Sequence, residues 1–263
     1  LRQALIERGD SPDALVMTAT PIPRTLALAF YGDLDVSILD ELPPGRGKII
    51  TGIRKTTQPP QAAEFLKEQL KEGRQIYIVY PLIEESESSK AGAATVAFET
   101  WKKLLPDSRL ALVHGKLTAE EKDDVMNRFR IGEVDVLVST TVIEVGVDVP
   151  NANVMIIYNA ERFGLAQLHQ LRGRIGRGEH KSFCVLMIDP EAAEASERLK
   201  ILTETRDGFR IADEDLKQRG SGEVLGTQQS GLPDLHFGEY IGDTKLVEEA
   251  KRIATTMISR QDN

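Results

Sequence analysis

Arginines and glycines between positions 167 and 178 form the pattern of this sequence that is best suited to chemistry. The stretch contains Arg174 and Arg177 three positions apart, with a glycine beside each arginine. Guanidinium groups donate paired hydrogen bonds to phosphate oxygens, so two of them on one side of a helical turn suit a polyphosphate. The alternative is a solvated basic face, but a merely solvated helix has no need of the glycines. The pattern therefore favours a phosphate-binding site.

A second candidate segment combines two threonines, a glycine and an aspartate behind an apolar run. Thr140 and Thr141 follow this run directly, and Gly146 and Asp148 come a few positions later. The carboxyl ends of parallel strands commonly line ligand sites, and a glycine lets the backbone approach a ligand closely. An ordinary loop between a strand and a helix is the alternative interpretation.

The elements that must position these residues alternate regularly between apolar runs and helical stretches. The apolar runs are mostly continuous, which is typical of strands that are covered on both faces. Thr118 and Glu121 have the spacing of a capping box, which predicts the start of a helix. This alternation predicts an α/β fold with a parallel sheet and helices on both faces. The predicted strands are 49–54, 75–80, 110–113, 134–139, 154–158 and 182–188, and the predicted helices are 60–72, 93–105, 118–131 and 166–172.

The chain divides into three segments by composition. Residues 1–47 hold a short apolar run, a loop made rigid by Pro21 and Pro23, and a linker at 42–47 that is rich in proline and glycine. Residues 48–190 hold the alternating strands and helices. Residues 191–263 are predicted to form a small helical hairpin and loop unit, with helices at 191–205, 211–219 and 243–259 and a glycine-rich loop before the last helix.

Charge and composition argue against several classes of function and site. The net charge of −8 argues against nucleic-acid binding through a general positive field, so any such contact must be local. No apolar run is long enough to cross a bilayer, and the first residues are too charged for a secretion signal, which predicts a cytoplasmic protein. Cys184 lies in an apolar run and is expected to be buried. The four scattered histidines have no metal-ligand spacing, so no structural metal is expected.

The arginine-rich stretch resembles motif VI of superfamily 2 helicases, which has the form Q-x-x-G-R-x-G-R. The matching residues are Gln170, Gly173, Arg174, Gly176 and Arg177. The resemblance implies that Arg177 is an arginine finger, which stabilises charge on the transferring γ-phosphate. It also implies that Arg174 faces the phosphates and that Gln170 lies near them.

The segment at 136–150 resembles motif V of the same helicases. In that motif the hydroxyl residues touch the nucleic-acid backbone, and the Gly-x-Asp segment lies at the nucleotide cleft. The resemblance therefore assigns Thr140 and Thr141 to a DNA phosphate, and Gly146 and Asp148 to the ATP interface.

Two shorter stretches resemble further helicase motifs. Thr18 and Thr20, in Thr-Ala-Thr-Pro, resemble motif III, which links the ATP site to movement of the lobes. His114 and Gly115 resemble the turn that grips the DNA backbone. A histidine at a strand end is more often a satisfied structural residue, and that interpretation stays open.

The segment at 191–263 indicates which group of superfamily 2 helicases the chain resembles. Residues 206–231 resemble the helical hairpin and loop shared by RecG helicases and the transcription-repair coupling factor, which passes lobe motion to duplex translocation. Arg198, Arg219 and Gln229 match the coupling residues of that hairpin. Ser221 stands where the family has a proline, which makes that turn less rigid. The form of residues 17–25 favours the RecG family, whose second motor lobe is a RecA-like domain.

Two patterns that hold phosphates and metal in such helicases do not occur in these residues. The string G-x-x-x-x-G-K-[ST] is missing, and so is a D-E-x-H or D-E-x-D box. The resemblance implies ATP with Mg²⁺ as the cofactor, held mostly by an upstream lobe outside this chain. It therefore predicts that the chain by itself has no ATPase activity.

The partners that the resemblance implies are duplex and branched DNA, at stalled forks or Holliday junctions in the nucleoid. The missing N-terminal motor lobe and wedge domain of the same protein are implied as well. Two alternatives stay open, the translocase lobe of a transcription-repair coupling factor and a non-catalytic RecA-like binding module. The intact Gln170, Arg174 and Arg177 argue against the second, because a scaffold has no need of an arginine finger.

Overall fold

The computed structural model describes most of the chain between residues 45 and 219. The described ranges are 45–55, 58–81, 87–140, 148–178, 180–192 and 194–219, with separate positions at 15, 17, 37, 39, 41, 249–250, 252–254 and 256–257. Several predicted site residues lie outside this set, and their assignments stay predictions. They are Thr18, Thr20, Thr141, Gly146 and Gln229.

Six strands form one sheet in the order β1-β6-β5-β2-β4-β3, and every pairing is parallel. The two central strands, β2 and β5, are buried along their whole length, as their continuous apolar runs predict. The parallel sheet of the predicted α/β fold is therefore confirmed. The strands are β1 (Ile49–Arg54), β2 (Gln75–Val79), β3 (Leu110–Val113), β4 (Val136–Ser139), β5 (Ala152–Ile157) and β6 (Ser182–Met187).

Seven α-helices and one 3₁₀ helix belong to the described ranges. The predicted capping box begins α3, where the Glu121 amide donates to Thr118 Oγ1 and the Thr118 amide donates to Glu121 Oε2 at 2.7 Å. The helices are α1 (Pro59–Lys71), α2 (Glu87–Leu104), α3 (Ala119–Arg130), the 3₁₀ helix (Ala160–Arg162), α4 (Leu165–Arg172), α5 (Ala195–Leu199), α6 (Ile201–Glu204) and α7 (Gly208–Arg219).

Apolar cores lie on both faces of the sheet, because successive side chains of a strand point to opposite faces. On β2, Ile76 and Ile78 pack with α1 and with Trp101 of α2, whereas Tyr77 and Val79 pack with α3 and α4. Helices thus cover both faces, as the sequence predicts. The predicted burial of Cys184 is also confirmed.

The tail helices belong to the apolar core that contains Tyr77, Val79 and α4. Leu199, Leu202 and Ile211 belong to the same buried cluster as Leu168 and Leu171 of α4. Helices α5, α6 and α7 therefore pack directly on the sheet domain, and the boundary at residue 190 stays a prediction.

The tail differs in detail from its prediction. One helix was predicted over 191–205, but residues 189–192 form a turn in which Asp189 Oδ1 accepts the Glu191 amide at 2.9 Å. The helical part is split into α5 and α6 at Lys200. Among the helices of the described ranges, none has the length and the apolar character that a membrane span requires.

Candidate nucleotide and DNA sites

The structure separates the predicted site residues into two groups on opposite edges of the sheet. Asp148 and Arg177 precede β5 and β6, so they lie at the edge where the strands begin. His114, Gly115 and Thr140 follow β3 and β4, so they lie at the edge where the strands end. The predicted nucleotide residues and the predicted DNA residues are therefore held apart by the length of the strands.

The nucleotide group is centred on an ion pair between Arg177 and Asp148. Arg177 Nη1 lies 3.3 Å from Asp148 Oδ1, and the side chains are 29% and 59% exposed, so solvent and ligands can reach both. Arg174 is half-buried nearby. Burial raises the pKa of Tyr77, while the charges of Arg174 and Arg177 act to lower it and that of Asp148 to raise it. The three charged side chains thus lie within electrostatic reach of one buried tyrosine.

The two arginines lie on a turn rather than on a helix, which corrects the expectation of a helical turn. Helix α4 ends at Arg172, and Gly173 caps it. Gly176 has φ +73°, and a Cβ built there would lie 2.6 Å from Ile49 Cγ1. Glycine is favoured at this position, because side chains rarely adopt the left-handed backbone and a Cβ would also press on Ile49. Gly176 therefore allows the chain to turn after α4, and Gln170 stays half-buried in the last turn of that helix.

Two further arginines adjoin this turn, and neither was singled out from the sequence. Arg46 Nη2 donates to the carbonyl of Gly173 at 3.0 Å, and both Nη atoms of Arg206 lie 3.4 Å from the carbonyl of Gly47. Burial lowers the pKa of Arg46, as do the charges of Arg177 and Arg206. Three guanidinium groups from distant parts of the chain therefore lie within electrostatic reach of one another.

Arg174 and Arg177 have the side chains that suit the phosphates of a nucleotide. The guanidinium groups of Arg46, Arg177 and Arg206 repel each other, and a polyphosphate that accepts hydrogen bonds from Arg174 and Arg177 would relieve that repulsion. Arg174 and Arg177 would hold phosphate oxygens, and Asp148 would hold Arg177 before the nucleotide enters. In the part of the chain that the structure describes, no group of three His, Cys, Asp or Glu side chains could hold a metal ion.

The group at the other edge joins two adjacent strands. The Thr140 amide donates to the Val113 carbonyl at 3.2 Å, which brings Thr140 beside the turn at His114 and Gly115. Gly115 is exposed, and His114 Nδ1 accepts the Lys116 amide at 3.3 Å. Thr140 is only 3% exposed, and its Oγ1 has no hydrogen-bond partner, as assessed for the described residues. The assignment of these residues to DNA stays a prediction.

The predicted coupling residue Arg198 joins α5 to the 3₁₀ helix. Its Nη1 donates to the Phe163 carbonyl at 3.0 Å, and its Nη2 donates to the Glu161 carbonyl at 2.8 Å. The tail is thereby attached to the segment between β5 and α4, the helix that leads to Arg174 and Arg177. Arg219 is the last residue of α7, and its side chain lies outside the described set.

Arg172 holds the arginine motif in place, a role that the motif resemblance did not assign to it. It is 3% exposed, and its Nη1 donates to the carbonyls of Leu202 at 2.6 Å and Thr205 at 2.9 Å. The sequence signal is its helical spacing from Leu165 and Leu168, which places it on the buried side of α4. Arg172 therefore attaches the helix of the arginine motif to the end of α6.

We expect Arg172→Ala to lower the free energy of unfolding by about 2–4 kcal/mol. The substitution leaves the Leu202 and Thr205 carbonyls without their charged donor, and such buried groups cost about 1–3 kcal/mol each when unsatisfied. Denaturant unfolding measures the change. Arg162→Ala is the matched control, because Arg162 is exposed and its loss should cost no more than about 0.5 kcal/mol. Equal effects of the two substitutions would contradict the anchoring role of Arg172.

His169 gives the fold a dependence on acid pH. Burial, and next the charge of Arg172, lower the pKa of His169 to about 4. Its Nδ1 must be the unprotonated nitrogen, because it lies 3.0 Å from Arg172 Nη2 and a guanidinium only donates. In the unfolded chain His169 becomes protonated as the pH falls below about 6.5, whereas in the folded chain it becomes protonated only near pH 4.

The stability of the wild-type chain should therefore fall as the pH decreases from about 6.5 to about 4, and it should not depend on His169 above that window. His169→Gln keeps an acceptor for Arg172 without the titration, so its melting temperature should fall less over the same range. Melting curves at several pH values compare the two proteins. Parallel curves would show that His169 is not the titrating group.

Comparison with known proteins identifies two segments of the chain. Residues 61–179 match the helicase conserved C-terminal domain, and residues 205–263 match the C-terminal part of domain 3 of ATP-dependent DNA helicase RecG. ATP-dependent DNA helicase RecG of Streptococcus pneumoniae is 49% identical over 98% of this chain and 39% of its own length. The RecG proteins of Thermotoga maritima and Bacillus subtilis are 51% and 46% identical, over 95% and 98% of this chain.

A solved structure agrees with these matches. The structure of RecG bound to a three-way DNA junction superposes with a TM-score of 0.72 at 49% identity, over 92% of this chain and 31% of the solved one. The chain thus spans about a third of the length of the relatives it matches, from 32% for Thermotoga maritima to 39% for Streptococcus pneumoniae. From the sheet order, the two matched segments and the identity over nearly its whole length, the chain belongs to the RecG family and has the RecA-like fold of a helicase C-terminal lobe.

Proposed function

We propose that this chain is the second motor lobe, with its coupling hairpin, of an ATP-dependent DNA helicase that acts on branched DNA. The observation that carries the proposal is the ion pair between Arg177 and Asp148 at one edge of the sheet, on the glycine turn that also carries Arg174. A binding module without catalysis would have no use for a half-buried arginine that points at an exposed edge. The stalled forks and Holliday junctions of the nucleoid, in the cytoplasm, are the proposed substrates.

ATP, when bound with Mg²⁺, supplies the γ-phosphoryl group whose hydrolysis drives movement. In the proposed complex the upstream lobe carries the phosphate cradle and the metal, because the strings that build them do not occur in this chain. Arg177 would stabilise the charge that develops on the γ-phosphate oxygens, and Arg174 and Gln170 would orient the phosphates. Gly146 and Asp148 are proposed to line the same cleft, as the family resemblance implies.

Asp148 has a proposed part in the cycle through its pair with Arg177. While no phosphate is present, Asp148 neutralises Arg177 and holds it at the edge of the sheet. Phosphate oxygens offer the guanidinium more acceptors than one exposed carboxylate, so Arg177 can exchange partners without becoming unpaired. This exchange would make Arg177 sensitive to the arrival of the other lobe.

The opposite edge is the proposed DNA face. The exposed backbone of Gly115 and the neighbouring His114 suit a phosphate of the duplex. Thr140 would take part only after a small local opening, because its hydroxyl is buried, and Thr141 follows it. Movement between the edges would pass through Thr18, Thr20, Arg198, Arg219 and Gln229, as the family resemblance implies.

The proposal is tested by comparing the chain alone with the complete protein. We expect no ATP hydrolysis by the purified chain, with or without DNA, because an arginine finger without a phosphate cradle stabilises nothing. The complete protein should hydrolyse ATP, and three-way or four-way junctions should stimulate it more than linear duplex of equal length. ATP hydrolysis by the chain alone would contradict the proposal that the upstream lobe carries the phosphate cradle and the metal.

A second candidate is the translocase lobe of a transcription-repair coupling factor, which shares the hairpin resemblance. The identity to RecG proteins over nearly the whole chain favours the first proposal. Displacement of stalled RNA polymerase by the complete protein, without a preference for junctions, would favour the second.

A further inference from the structure

Three separate segments of the chain meet at the carbonyl groups of Gly47 and Gly173. Arg206, just after α6, lies with both Nη atoms 3.4 Å from the Gly47 carbonyl. Arg46, which precedes Gly47 in the chain, donates from Nη2 to the Gly173 carbonyl at 3.0 Å. We call the set Arg206, Gly47, Arg46 and Gly173 the arginine bridge, because it connects the hairpin to the turn of the arginine motif.

The arginine bridge contacts Arg177 through the Gly173 carbonyl. The Gly173 carbonyl that accepts from Arg46 also lies 3.4 Å from Nε of Arg177, so one oxygen orients both guanidinium groups. Their charges repel each other. This repulsion favours an Arg177 side chain directed away from Arg46, toward Asp148, where its Nη1 lies.

The middle of the bridge has little freedom to yield. The Gly47 amide donates to the Gly178 carbonyl at 3.0 Å, so residue 47 is fixed to the residue that follows Arg177. A Cβ at Gly47 would collide with the carbonyl oxygens of His180 and Gly178. A shift of the hairpin that pulls on Gly47 must therefore also move the turn that carries Arg177.

We propose that Arg46 and Arg206 are positioning residues for Arg177, through which the helical hairpin sets the place of the arginine finger. The inference rests on the proposed function, since it takes Arg177 to act on the nucleotide. It adds a route from hairpin to finger that runs through the linker before β1, separate from Arg219 and Gln229. Because the route works in both directions, a change at the nucleotide also reaches the hairpin.

The link itself is tested without nucleotide or DNA, by hydrogen exchange of the complete protein followed by mass spectrometry. Arg206→Gln and Arg46→Gln should each speed exchange in peptides that contain residues 45–48 and 173–178. Arg210→Gln is the matched control, because Arg210 is an exposed arginine one turn further along the same tail and should leave those peptides unchanged. If Arg206→Gln leaves both peptides as protected as in the wild type, the bridge does not exist, whatever the protein does.

The effect on the finger is tested by steady-state kinetics with junction DNA. Arg46→Gln and Arg206→Gln should lower kcat for ATP hydrolysis by about 10-fold, since a misplacement near 1 Å can cost up to about 100-fold. The KM for ATP should change by less than about 3-fold, because neither residue is proposed to hold the nucleotide. Arg46→Lys keeps the charge and a donor for Gly173, so it should recover most of kcat.

A double variant separates positioning from general damage. In an Arg177→Ala background, Arg46→Gln should change the residual kcat by less than about 2-fold, because residues that act as a unit are not additive. An additional 10-fold loss in that background, or a loss that appears mainly in KM, would overturn the positioning role. A complete wild-type protein without DNA-stimulated ATPase would instead overturn the proposed function, and the exchange experiment would still decide whether the bridge exists.

Discussion

Arg177→Ala in the complete helicase should lower kcat for ATP hydrolysis by about 10³-fold or more, which is the scale for loss of an arginine finger. Arg177 is half-buried at the edge of the sheet, and its described partners are the exposed carboxylate of Asp148 and the Gly173 carbonyl. Neither contact is part of the apolar core, so the substitution should leave the fold intact. Single-turnover hydrolysis with and without junction DNA measures the loss.

Two further variants make this result specific. Arg177→Lys keeps a positive charge but loses the planar fork, so it should recover only a small part of kcat. Arg162→Ala removes an exposed arginine of the 3₁₀ helix and should leave kcat within about 2-fold of the wild type. An Arg177→Ala enzyme that retains a tenth or more of wild-type kcat would mean that another residue supplies the finger.

Loss of the proposed coupling residues Arg219 and Gln229 should separate ATP hydrolysis from work on DNA. In the complete protein, Arg219→Ala and Gln229→Ala should lower fork reversal or branch migration by at least about 10-fold, equivalent to 1.4 kcal/mol in the coupled step. Most DNA-stimulated ATP hydrolysis should remain, because neither residue belongs to the proposed phosphate site. ATP turnover and fork conversion are measured on the same preparation, with a melting curve to exclude unfolding.

Lys217→Ala provides the matched control for the hairpin. Lys217 is an exposed cation two residues before Arg219 on the same helix, and it forms a 3.9 Å ion pair with Glu214. Its substitution should leave both activities unchanged, within about 0.5 kcal/mol. If ATP hydrolysis and fork conversion fall together in Arg219→Ala, or if neither falls, the hairpin is not a coupling element.

The strands were predictable because their signal is local, but the beginning of β5 was not. The prediction started this strand at Val154, since Asn153 interrupts the apolar run. In the structure Asn153 is fully buried, and its Oδ1 accepts from Ser182 Oγ of the neighbouring strand at 3.1 Å. The pairing with β2 also shifts register there. A polar residue inside a strand is acceptable when a distant partner satisfies it, and a single sequence does not reveal that partner.

The candidate site likewise contains residues that local motifs indicate and residues whose contacts are distant in sequence. Arg174, Arg177 and Asp148 could be proposed from the sequence because each lies in a motif whose residues are close along the chain, and the structure pairs Arg177 with Asp148. Arg46 and Arg206 could not, because their acceptors lie 127 and 159 residues away in sequence. Their roles depend on contacts that only the folded chain creates.

The apolar cluster shared by the sheet domain and the tail limits how the hairpin can be exchanged between relatives. Leu199, Leu202 and Ile211 fill the cluster beside Leu168 and Leu171, so a cut at residue 190 would divide one hydrophobic core. A chimera that receives a foreign tail must also receive the α4 side chains that fit it. Grafts that exchange residues 165–219 as one block should therefore yield well-expressed protein, whereas grafts that begin at residue 191 should expose leucines and aggregate.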